Sequence, residues 1–247
     1  MRNKYSDMIN DFKTFGIELT DKQLAQFDKY YELLTKWNEV MNLTAIIEFD
    51  SVCKLHFVDS ISAYKYFDFS KEEYSLIDVG TGAGFPGIPL KIVFPQLKIT
   101  LLDSLNKRLN FLNEVIDELG LNEEGSIVTL HGRAEDHSSA SNKNSLRETF
   151  DIAVSRAVAN LSTLSEYCLP YVKVGGRFIA YKSEKAEEEL AKAKGAIHLL
   201  GGKLIDYPEF NLPDSEYSRT ICIIEKKEKT SKQYPRKAGT PSKKPLS

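Results

Sequence analysis

The sequence predicts an α/β fold in which a mostly parallel, doubly wound sheet lies behind an N-terminal helical cap. From Tyr74 onward, short apolar segments of β type alternate with helical segments, a pattern typical of a parallel sheet with helices on both faces. Before that point, apolar residues recur at helical spacing. With 247 residues, the chain is long enough for one large α/β domain and an appendage.

The predicted cap spans residues 1–70. Thr20 followed by Gln23 forms a capping box, which marks the start of a helix. Two apolar stripes at helical spacing follow, and both are expected to face the core. The first stripe is Leu24, Phe27, Tyr31, Leu34, Trp37 and Met41, and the second is Val52, Leu55, Val58, Ile61 and Tyr64.

Seven strands are predicted between residues 71 and 228: Ser75–Val79, Ile99–Asp103, Ile127–His131, Ile152–Ser155, Arg177–Lys182, Lys203–Tyr207 and Thr220–Glu225. Helices fit between or after them at Gly87–Phe94, Leu105–Leu119, Leu161–Val172 and Ser183–Leu200. The loop Asn211–Tyr217 is too short for a helix. The last two strands should therefore pair antiparallel, as a hairpin at the sheet edge.

Charge is distributed unevenly along the chain. The net charge is −2, but residues 226–247 carry +7 and the rest carries −9. A basic tail on an acidic body favours a polyanionic partner, although a tail that only promotes solubility would carry the same charge. Residues 229–247 are rich in Pro, Ser and Lys, so we expect a basic flexible tail that is disordered without a partner.

Cysteine usage and hydropathy indicate a cytoplasmic protein. Cys53, Cys168 and Cys222 are far apart in apolar segments and should be buried free thiols. No CxxC pair or His/Cys cluster suggests a metal site. No apolar run has transmembrane length, and the N-terminal MRNKYSDMINDF lacks the apolar stretch of a signal peptide.

The strongest motif is the segment LIDVGTGAGFPG, residues 76–87, where the first strand turns into the first helix of the sheet. Its glycines let backbone amides approach a ligand closely, and the helix N-terminus supplies N–H donors. Two registers compete. Gly82, Gly84 and Gly87 satisfy the dinucleotide pattern GxGxxG, whereas Asp78 precedes a GxGxG that begins at Gly80.

The acidic register fits better. In the dinucleotide register the first glycine comes later than the strand end predicts, and Pro86 lies where the loop must follow a pyrophosphate. Asp78 before GxGxG resembles the first motif of class I S-adenosylmethionine-dependent methyltransferases. That cofactor has no phosphate, and its sulfonium and ammonium groups suit carboxylates and carbonyls. A nicotinamide-dependent oxidoreductase is the alternative that the other register predicts.

Three more segments lie at the carboxyl ends of predicted parallel strands, where open α/β sheets bind ligands. Asp103 ends the second strand and can accept hydrogen bonds from both ribose hydroxyls. GRAED, residues 132–136, follows the third strand, where this methyltransferase class binds the adenine edge. Ser155-Arg156-Ala157 follows the fourth strand at the mouth of the cleft. These positions predict a cofactor-binding catalytic domain over residues 71–228.

The segment after the fourth strand narrows the chemistry. Exocyclic amine methyltransferases have Asn/Asp-Pro-Pro-aromatic there, and this chain has Ser-Arg-Ala-Val. Methylation of pyrimidine C5 needs a cysteine nucleophile, and neither Cys168 nor Cys222 is suitably placed. Guanine N7 is already nucleophilic and has no proton to remove, so alignment of N7, methyl carbon and sulfur would carry the rate. The target base would be flipped out or openly accessible.

The chain resembles the GidB (RsmG) family of bacterial 16S ribosomal RNA guanine-N7 methyltransferases over nearly its whole length. The insert GFPGIP is far more specific than a bare GxGxG. The motifs that carry the resemblance are Trp37–Ala45, His56–Ser60, Asp78–Leu90, Gly132–Glu135, Ser155–Ala157 and Tyr234–Pro241. One position departs from the family pattern, because Lys182 is followed by Ser183 where a glycine is expected.

This resemblance implies a seven-stranded class I fold, S-adenosylmethionine as cofactor, and 16S ribosomal RNA or the small ribosomal subunit as partner. The expected cofactor-binding residues, including those of the glycine loop, are Asp78, Gly80, Gly82, Gly84, Phe85, Asp103, Ser104, Ala134, Glu135 and Arg156. Candidates for holding the target nucleotide are Asn42, Arg133, Arg156 and Lys182. Arg236, Lys237, Lys243 and Lys244 would hold the RNA backbone.

Several roles stay open. Asn42 is equally compatible with a turn cap, and Lys182 with a solvated side chain. His56 and Asp59 either orient the cap or form a plain interdomain contact. The chain as a whole is also compatible with a non-catalytic RNA-binding or assembly protein. We expect no membrane association, and no obligate protein partner is evident.

Overall fold

A mixed sheet organises the part of the chain that the computed structural model describes, residues 1–123, 126–156, 159–183 and 186–247. Its strands are β1 (Ser75–Val79), β2 (Lys98–Asp103), β3 (Ile127–His131), β4 (Phe150–Ser155), β5 (Val172–Lys182), β6 (Gly202–Asp206), β7 (Glu209–Asn211) and β8 (Ser218–Lys226). The order is β3-β2-β1-β4-β5-β8-β6, with β7 paired to β8. Strands β1 to β5 are parallel, and β8 is antiparallel to β5, β6 and β7.

The predicted doubly wound sheet with an antiparallel edge hairpin is confirmed. All seven predicted strands are present, and β1 and β3 have the predicted bounds. The short strand β7 was not predicted; it lies between the predicted sixth strand and the predicted loop, and pairs with the first residues of β8. Three residues of mixed polarity do not show a period, so only the pairing with β8 defines this strand.

Ten α-helices surround the sheet within the described residues: α1 (Ser6–Thr14), α2 (Asp21–Met41), α3 (Phe49–Val52), α4 (Asp59–Ile61), α5 (Gly87–Val93), α6 (Asn106–Glu118), α7 (Ala134–His137), α8 (Leu161–Cys168), α9 (Ala186–Leu199) and α10 (Thr240–Lys243). The predicted helix 161–172 ends earlier, in a 3₁₀ turn at Leu169–Tyr171. Ala157 of the Ser-Arg-Ala motif and residues 184–185 of the predicted helix 183–200 lie outside the described residues.

Helix α2 begins as the capping box predicts. The Thr20 hydroxyl accepts a hydrogen bond from the Gln23 N–H (3.2 Å), and the Gln23 amide oxygen accepts one from the Thr20 N–H (2.9 Å). The helix ends at Asn42, whose φ of 49° is left-handed, a common helix stop. Its buried face packs against α5 and α6, so the cap shares a core with one side of the sheet.

The second apolar stripe of the cap is less regular than predicted. Between α3 and α4 the backbone makes a π-helical turn, Cys53–Val58, and a 3₁₀ turn follows at Ser62–Lys65. A π turn adds one residue per turn and rotates the side chains that follow it. Val52, Val58 and Ile61 are buried as expected, and His56 and Asp59 are buried as well. The polar residues of this segment, His56 and Asp59, line a cavity between the cap and the sheet.

Two hydrophobic clusters cover the two faces of the sheet. Leu76 belongs to the cluster that includes the cap, α5 and α6, while its neighbour Ile77 belongs to the cluster with α8 and α9. This alternation is expected for a strand buried on both faces. Cys53, Cys168 and Cys222 are buried and free, as predicted. No helix in the described ranges is long and apolar enough to span a bilayer.

The C-terminal segment differs from the flexible tail that its composition indicates, because it packs on the sheet domain. Arg147 donates hydrogen bonds to the carbonyls of Ser231 (3.1 Å) and Tyr234 (2.7 Å), as well as to that of Thr230. Arg236 forms an ion pair with the fully buried carboxylate of Glu166 (2.6 Å). These partners come from distant parts of the chain, so composition alone cannot reveal them.

Candidate cofactor and substrate site

The turn from β1 to α5 is held from behind by Asp78. Its carboxylate is fully buried and accepts hydrogen bonds from the Thr81 hydroxyl (2.7 Å) and the Gly87 N–H (2.9 Å). Burial raises the pKa of Asp78 to about 6, although both hydrogen bonds oppose that rise. Asp78 lines neither of the cavities described next. It was predicted to bind cofactor, and its contacts assign it the task of shaping the loop.

The surroundings of Gly82 and Gly84 distinguish the dinucleotide register GxGxxG from the register in which Asp78 precedes GxGxG. A Cβ on Gly82 would meet only the Gly80 carbonyl oxygen, at 4.0 Å. A Cβ on Gly84 would lie 2.7 Å from the Tyr30 hydroxyl and from Ile88, both parts of the packed interior. Gly84 is therefore required by packing against the cap, and no pyrophosphate can approach it. This geometry disfavours the dinucleotide register, in which Gly84 is the glycine that faces the phosphates.

A crevice of about 280 Å³ lies at the carboxyl ends of β1, β2 and β3. Five of the predicted cofactor-binding residues line it: Gly80, Asp103, Ser104, Ala134 and Glu135. Ala134 and Glu135 begin the short helix α7, and Arg133 occupies its N-cap position. The crevice thus combines two acids with backbone and apolar wall, at the position where open α/β sheets bind ligands.

Asp103 connects the strand end to the glycine turn. One carboxylate oxygen accepts from the Leu105 N–H (2.9 Å), and the other accepts from the Gly82 N–H (3.0 Å) and from Arg108 (3.2 Å). Because Asp103 is buried and fixed by backbone donors, it presents a rigid acceptor to the crevice. Arg108 is the one side-chain donor among these partners, and it is partly exposed, whereas the other donors are backbone N–H groups.

Glu135 is nearly buried in the floor of the crevice. Its Oε1 atom accepts a hydrogen bond from the backbone N–H of Gly239 at 2.8 Å. Tyr167, on α8, also lines the crevice. The C-terminal segment therefore reaches the crevice, a contact that the sequence did not predict.

A second, larger cavity of about 680 Å³ adjoins the crevice, and both are lined by Gly80 and Arg108. It lies between the cap and the sheet. Its cap-side lining includes Leu43, Thr44, Leu55, His56 and Asp59; its sheet-side lining includes Gly82, Phe85, Arg156, Tyr181, Lys182 and Arg219. Gly82, Phe85 and Arg156 were predicted to bind cofactor, and the structure places them in this larger cavity instead of the crevice.

Arg156 is the centre of a hydrogen-bond network in the larger cavity. Its guanidinium donates to the Leu55 carbonyl (3.0 Å) and to Asp59 (3.1 Å), and Nη2 lies 3.2 Å from Nδ1 of His56. It also lies over the Phe85 ring, 5.0 Å from the centroid, in cation–π geometry. These contacts join the end of β4 to the cap.

His56 is held neutral and fixed. Burial, followed by the nearby Arg156 charge, lowers its pKa to about 3. Because Nδ1 faces the Arg156 guanidinium, Nε2 carries the proton and donates to the Thr44 hydroxyl (2.9 Å). The ring also stacks on Phe85 at 4.5 Å. Both His56 and Asp59 contact Arg156, and all three residues line the larger cavity. The two cap residues therefore connect the cap to the side chains of this cavity.

The four residues predicted to hold the target nucleotide do not all line the same cavity. Arg156 and Lys182 line the larger cavity, where buried Lys182 pairs with Glu189 (2.8 Å) and donates to the Ala159 carbonyl (3.0 Å). Arg133 is exposed and lines the smaller crevice. Asn42 is exposed, lines neither cavity and ends α2, which is the turn-cap role left open above.

The four residues of the C-terminal segment that were predicted to hold the RNA backbone also differ in their surroundings. Arg236 is bound to Glu166 through its backbone N–H (2.7 Å) and its side chain, so it anchors the C-terminal segment to the sheet domain. Its contact with RNA stays a prediction. Lys237, Lys243 and Lys244 are exposed, and no ion pair involves them within the described residues. These three lysines stay predicted RNA contacts.

Sequence reasoning missed several residues of the two cavities. Thr44 lies within the family motif Trp37–Ala45, which is the sequence feature that marks it. Arg108 lies five residues after Asp103, across the junction between β2 and α6, so no helical spacing predicts their ion pair. Arg219 lies on the antiparallel strand β8, outside the loops at the carboxyl ends of the parallel strands, and no local pattern marks it. Among the described residues, no group of three or more His, Cys, Asp or Glu could hold a metal ion.

Comparisons with known proteins agree with this architecture. Solved structures at low identity share the fold alone: M. jannaschii TYW2 in complex with AdoMet has a TM-score of 0.52 at 18% identity, covering 68% of this chain and 76% of that one. The [4+2]-cyclase SpnF has a TM-score of 0.53 at 14% identity, covering 69% of this chain and 81% of its own.

Sequence relatives are much closer. A family model described as GidB, rRNA small subunit methyltransferase G, matches residues 23–221. The protein named ribosomal RNA small subunit methyltransferase G of Lachnoclostridium phytofermentans is 51% identical, over 98% of this chain and 97% of its own length. The protein of the same name from Exiguobacterium sibiricum is 54% identical, over 94% of each chain. The chain therefore belongs to the GidB family of rRNA small subunit methyltransferase G proteins, as its motifs predicted.

Proposed function

We propose that this protein transfers a methyl group from S-adenosylmethionine to N7 of a guanine in small-subunit (16S) ribosomal RNA. The observation that carries the proposal is the adjacency of two cavities. A crevice with acids on its walls, at the carboxyl ends of β1 to β3, meets a larger cavity with a cationic lining at Gly80 and Arg108. One cavity suits the methyl donor and the other suits a nucleotide.

The crevice fits the cofactor chemically. S-adenosylmethionine supplies an electrophilic methyl group on a sulfonium. Asp103 offers a rigid carboxylate to the ribose hydroxyls, and Glu135 has one oxygen, Oε2, that makes no hydrogen bond within the described part of the chain. Gly80 is exposed, and a Cβ on Gly82 would meet only the Gly80 carbonyl oxygen at 4.0 Å, so this backbone leaves room for close approach, with φ values of 73° and 61°. Gly84 lies inside the protein, so the turn is not a phosphate cradle.

The larger cavity favours an acceptor atom that carries no proton. Its lining carboxylates are engaged, because Asp59 is paired with two arginines and Glu189 with Lys182. The lining imidazole, His56, has both nitrogens occupied and a pKa near 3. None of these groups is poised as a general base at neutral pH. Guanine N7 needs none, so positioning and alignment with the methyl donor would carry the rate.

The partner that follows from this reaction is 16S ribosomal RNA or the small ribosomal subunit, which places the protein in the cytoplasm. The larger cavity, of about 680 Å³, is large enough for a flipped purine. Exposed Lys237, Lys243 and Lys244 supply additional positive charge for the RNA backbone.

The direct test uses methyl-labelled S-adenosylmethionine and small-subunit RNA from a strain that lacks the enzyme. Three substrates are compared: naked 16S RNA, intact small subunits and assembly intermediates. We expect label on a guanine of at least one substrate, with N7 identified by mass spectrometry of the digested RNA. The absence of transfer to all three would refute the proposal, and RNA binding without turnover would favour a non-catalytic assembly protein.

A thermal-shift measurement tests the cofactor separately. Adenosylhomocysteine should raise the melting temperature, whereas NAD or NADP should not; the reverse result would favour an oxidoreductase. Asp103→Asn should weaken the adenosylhomocysteine shift. Asp136→Asn is the matched control, because Asp136 is an exposed neighbour of the crevice that does not line it.

A further inference from the structure

Two arginines in the larger cavity share a single carboxylate. Asp59, on α4 of the cap, accepts a hydrogen bond from Arg156 Nη1 on Oδ2 (3.1 Å) and one from Arg219 Nε on Oδ1 (2.9 Å). Arg156 follows β4, and Arg219 lies on β8. The side chains are 16%, 6% and 15% exposed for Arg156, Asp59 and Arg219, respectively. We call this group the arginine pair, meaning Arg156 and Arg219 with Asp59 between them.

The arginine pair carries one uncompensated positive charge. The other two cations of the cavity lining each have a carboxylate of their own: Lys182 pairs with Glu189 (2.8 Å) and Arg108 with Asp103 (3.2 Å). Within the described part of the chain, Asp59 is the one acid paired with either arginine of the group. A cation that is mostly withdrawn from water and lacks a full counter-charge is costly, so this wall of the cavity favours an anion.

Each guanidinium also retains a donor. Arg219 uses Nε for Asp59 and Nη1 for the Ser218 carbonyl (2.8 Å), and its Nη2 makes no hydrogen bond in the described ranges. Arg156 uses Nη1 and Nη2, and its Nε is likewise without a partner there. The donors are held in place by the buried carboxylate and, for Arg156, by the Phe85 ring. Preorganised guanidinium donors are well suited to phosphate oxygens.

We infer that the arginine pair is a binding site for a backbone phosphate of the RNA next to the target nucleotide, with Arg219 as a substrate-binding residue. This inference rests on the proposed function. Phosphate is favoured over the carboxylate of the cofactor, because Arg219 and Asp59 line the larger cavity and not the crevice. The cap contributes Asp59 and the sheet contributes both arginines, so the phosphate would bind where the two parts meet.

The test compares Arg219→Gln, Arg219→Lys and a control, Arg177→Gln. Arg177 pairs with Glu225 at the other end of β8 and lines neither cavity. RNA affinity is measured at several salt concentrations in the presence of adenosylhomocysteine, so no turnover is required. We expect Arg219→Gln to weaken RNA binding about tenfold or more and to reduce the salt slope by about 0.7–0.9. Arg219→Lys should restore the slope, and the control should leave both unchanged.

Adenosylhomocysteine affinity and thermal stability separate this role from others. Both should change little in Arg219→Gln, since the substitution removes the excess charge and leaves Asp59 paired with Arg156. Loss of adenosylhomocysteine affinity with unchanged RNA affinity would assign the arginine pair to the cofactor carboxylate and overturn the inference. Unchanged RNA affinity and slope would also overturn it, whether or not the wild-type protein transfers methyl groups.

Small probes distinguish RNA phosphate from a free anion. Guanosine 5′-monophosphate should compete with RNA better than guanosine does in the wild-type protein, and equally in Arg219→Gln. Inorganic phosphate at the same concentration should compete less than the nucleotide. If inorganic phosphate competes as well as the nucleotide, the arginine pair is a free anion site, and the RNA assignment is wrong.

Discussion

Glu135, which lines the crevice at the carboxyl ends of β1 to β3, accepts a hydrogen bond from the backbone N–H of Gly239, 104 residues later in the chain. The contact places the start of α10 beside the crevice, and Thr163 strengthens it by donating to the Pro241 carbonyl (3.1 Å). The C-terminal segment is therefore both a part of the folded domain and a carrier of exposed lysines. These two roles require different experiments.

The anchoring role depends on Arg236. Arg236→Ala leaves the buried Glu166 carboxylate without its counter-charge, so we expect a loss of about 3 kcal/mol in the free energy of unfolding. Urea denaturation measures the change. Lys237→Ala is the control, because this neighbouring side chain is exposed and should alter stability by less than about 0.5 kcal/mol. Equal stability of both variants would mean that the segment is not docked.

The lysine role concerns RNA and leaves the fold intact. Replacing Lys237, Lys243 and Lys244 with glutamine should reduce the salt slope of RNA binding by about 2, since each phosphate contact contributes roughly 0.7 to 0.9. Thermal stability and adenosylhomocysteine affinity should be unchanged. A truncation after Lys229 would be less informative, because Thr230 is buried and bonded to Lys226 (2.6 Å). An unchanged salt slope would show that these lysines do not contact RNA.

The two glycines of the β1–α5 turn should respond differently to a methyl group. Gly84→Ala forces a Cβ against Tyr30, Ile88 and Leu112 in a left-handed backbone, so we expect a loss of about 2 kcal/mol or more. Gly82→Ala has open space and should cost about 1–2 kcal/mol from backbone strain alone. Chemical denaturation of both variants checks the order. A larger loss for Gly82→Ala would contradict the packing described for this turn.

Asp78 gives the fold a stability component that depends on pH. Its folded pKa of about 6 lies above the reference value of 3.8, so this component is fully present below pH 3.8 and is lost as pH rises through about 6. Asp78→Asn keeps an acceptor for Thr81 and Gly87 but removes the titration. Relative to wild type, this variant should become less stable, by about 2–3 kcal/mol, as pH falls from 6 to 4. A constant difference between the two proteins would refute the assignment.

His56 contributes stability with the opposite pH dependence to Asp78, over an overlapping pH range. Its folded pKa of about 3 lies below 6.5, so its component is present above pH 6.5 and is lost as pH falls toward 3. His56→Gln should gain stability relative to wild type as pH falls below 6.5, measured by urea unfolding. His198→Gln is the control, since His198 is exposed on α9. The same pH response in both variants would place the effect outside the cavity.

The sequence by itself determined the sheet and the location of the crevice. Strands β1 to β5 each contain an apolar run and alternate with helical segments along most of the chain. Their parallel direction and the edge at which their loops meet therefore follow from local patterns. Gly80, Asp103 and Glu135, three of the residues predicted to bind cofactor, lie on these loops and line the crevice. The family motifs could be identified for the same reason, because they are contiguous in the chain.

Only the tertiary structure decided which residues share a cavity. Asp59 meets Arg156 over 97 residues and Arg219 over 160, and no local period encodes such a pairing. The π turn before α4 and the antiparallel course of β8 bring the three groups together. The docking of the C-terminal segment likewise depends on contacts between residues far apart in the chain. Its composition indicates disorder, but buried partners such as Glu166, 70 residues away, satisfy its charges and backbone. Local patterns specify helices and strands, whereas burial of charge is settled only when distant elements pack.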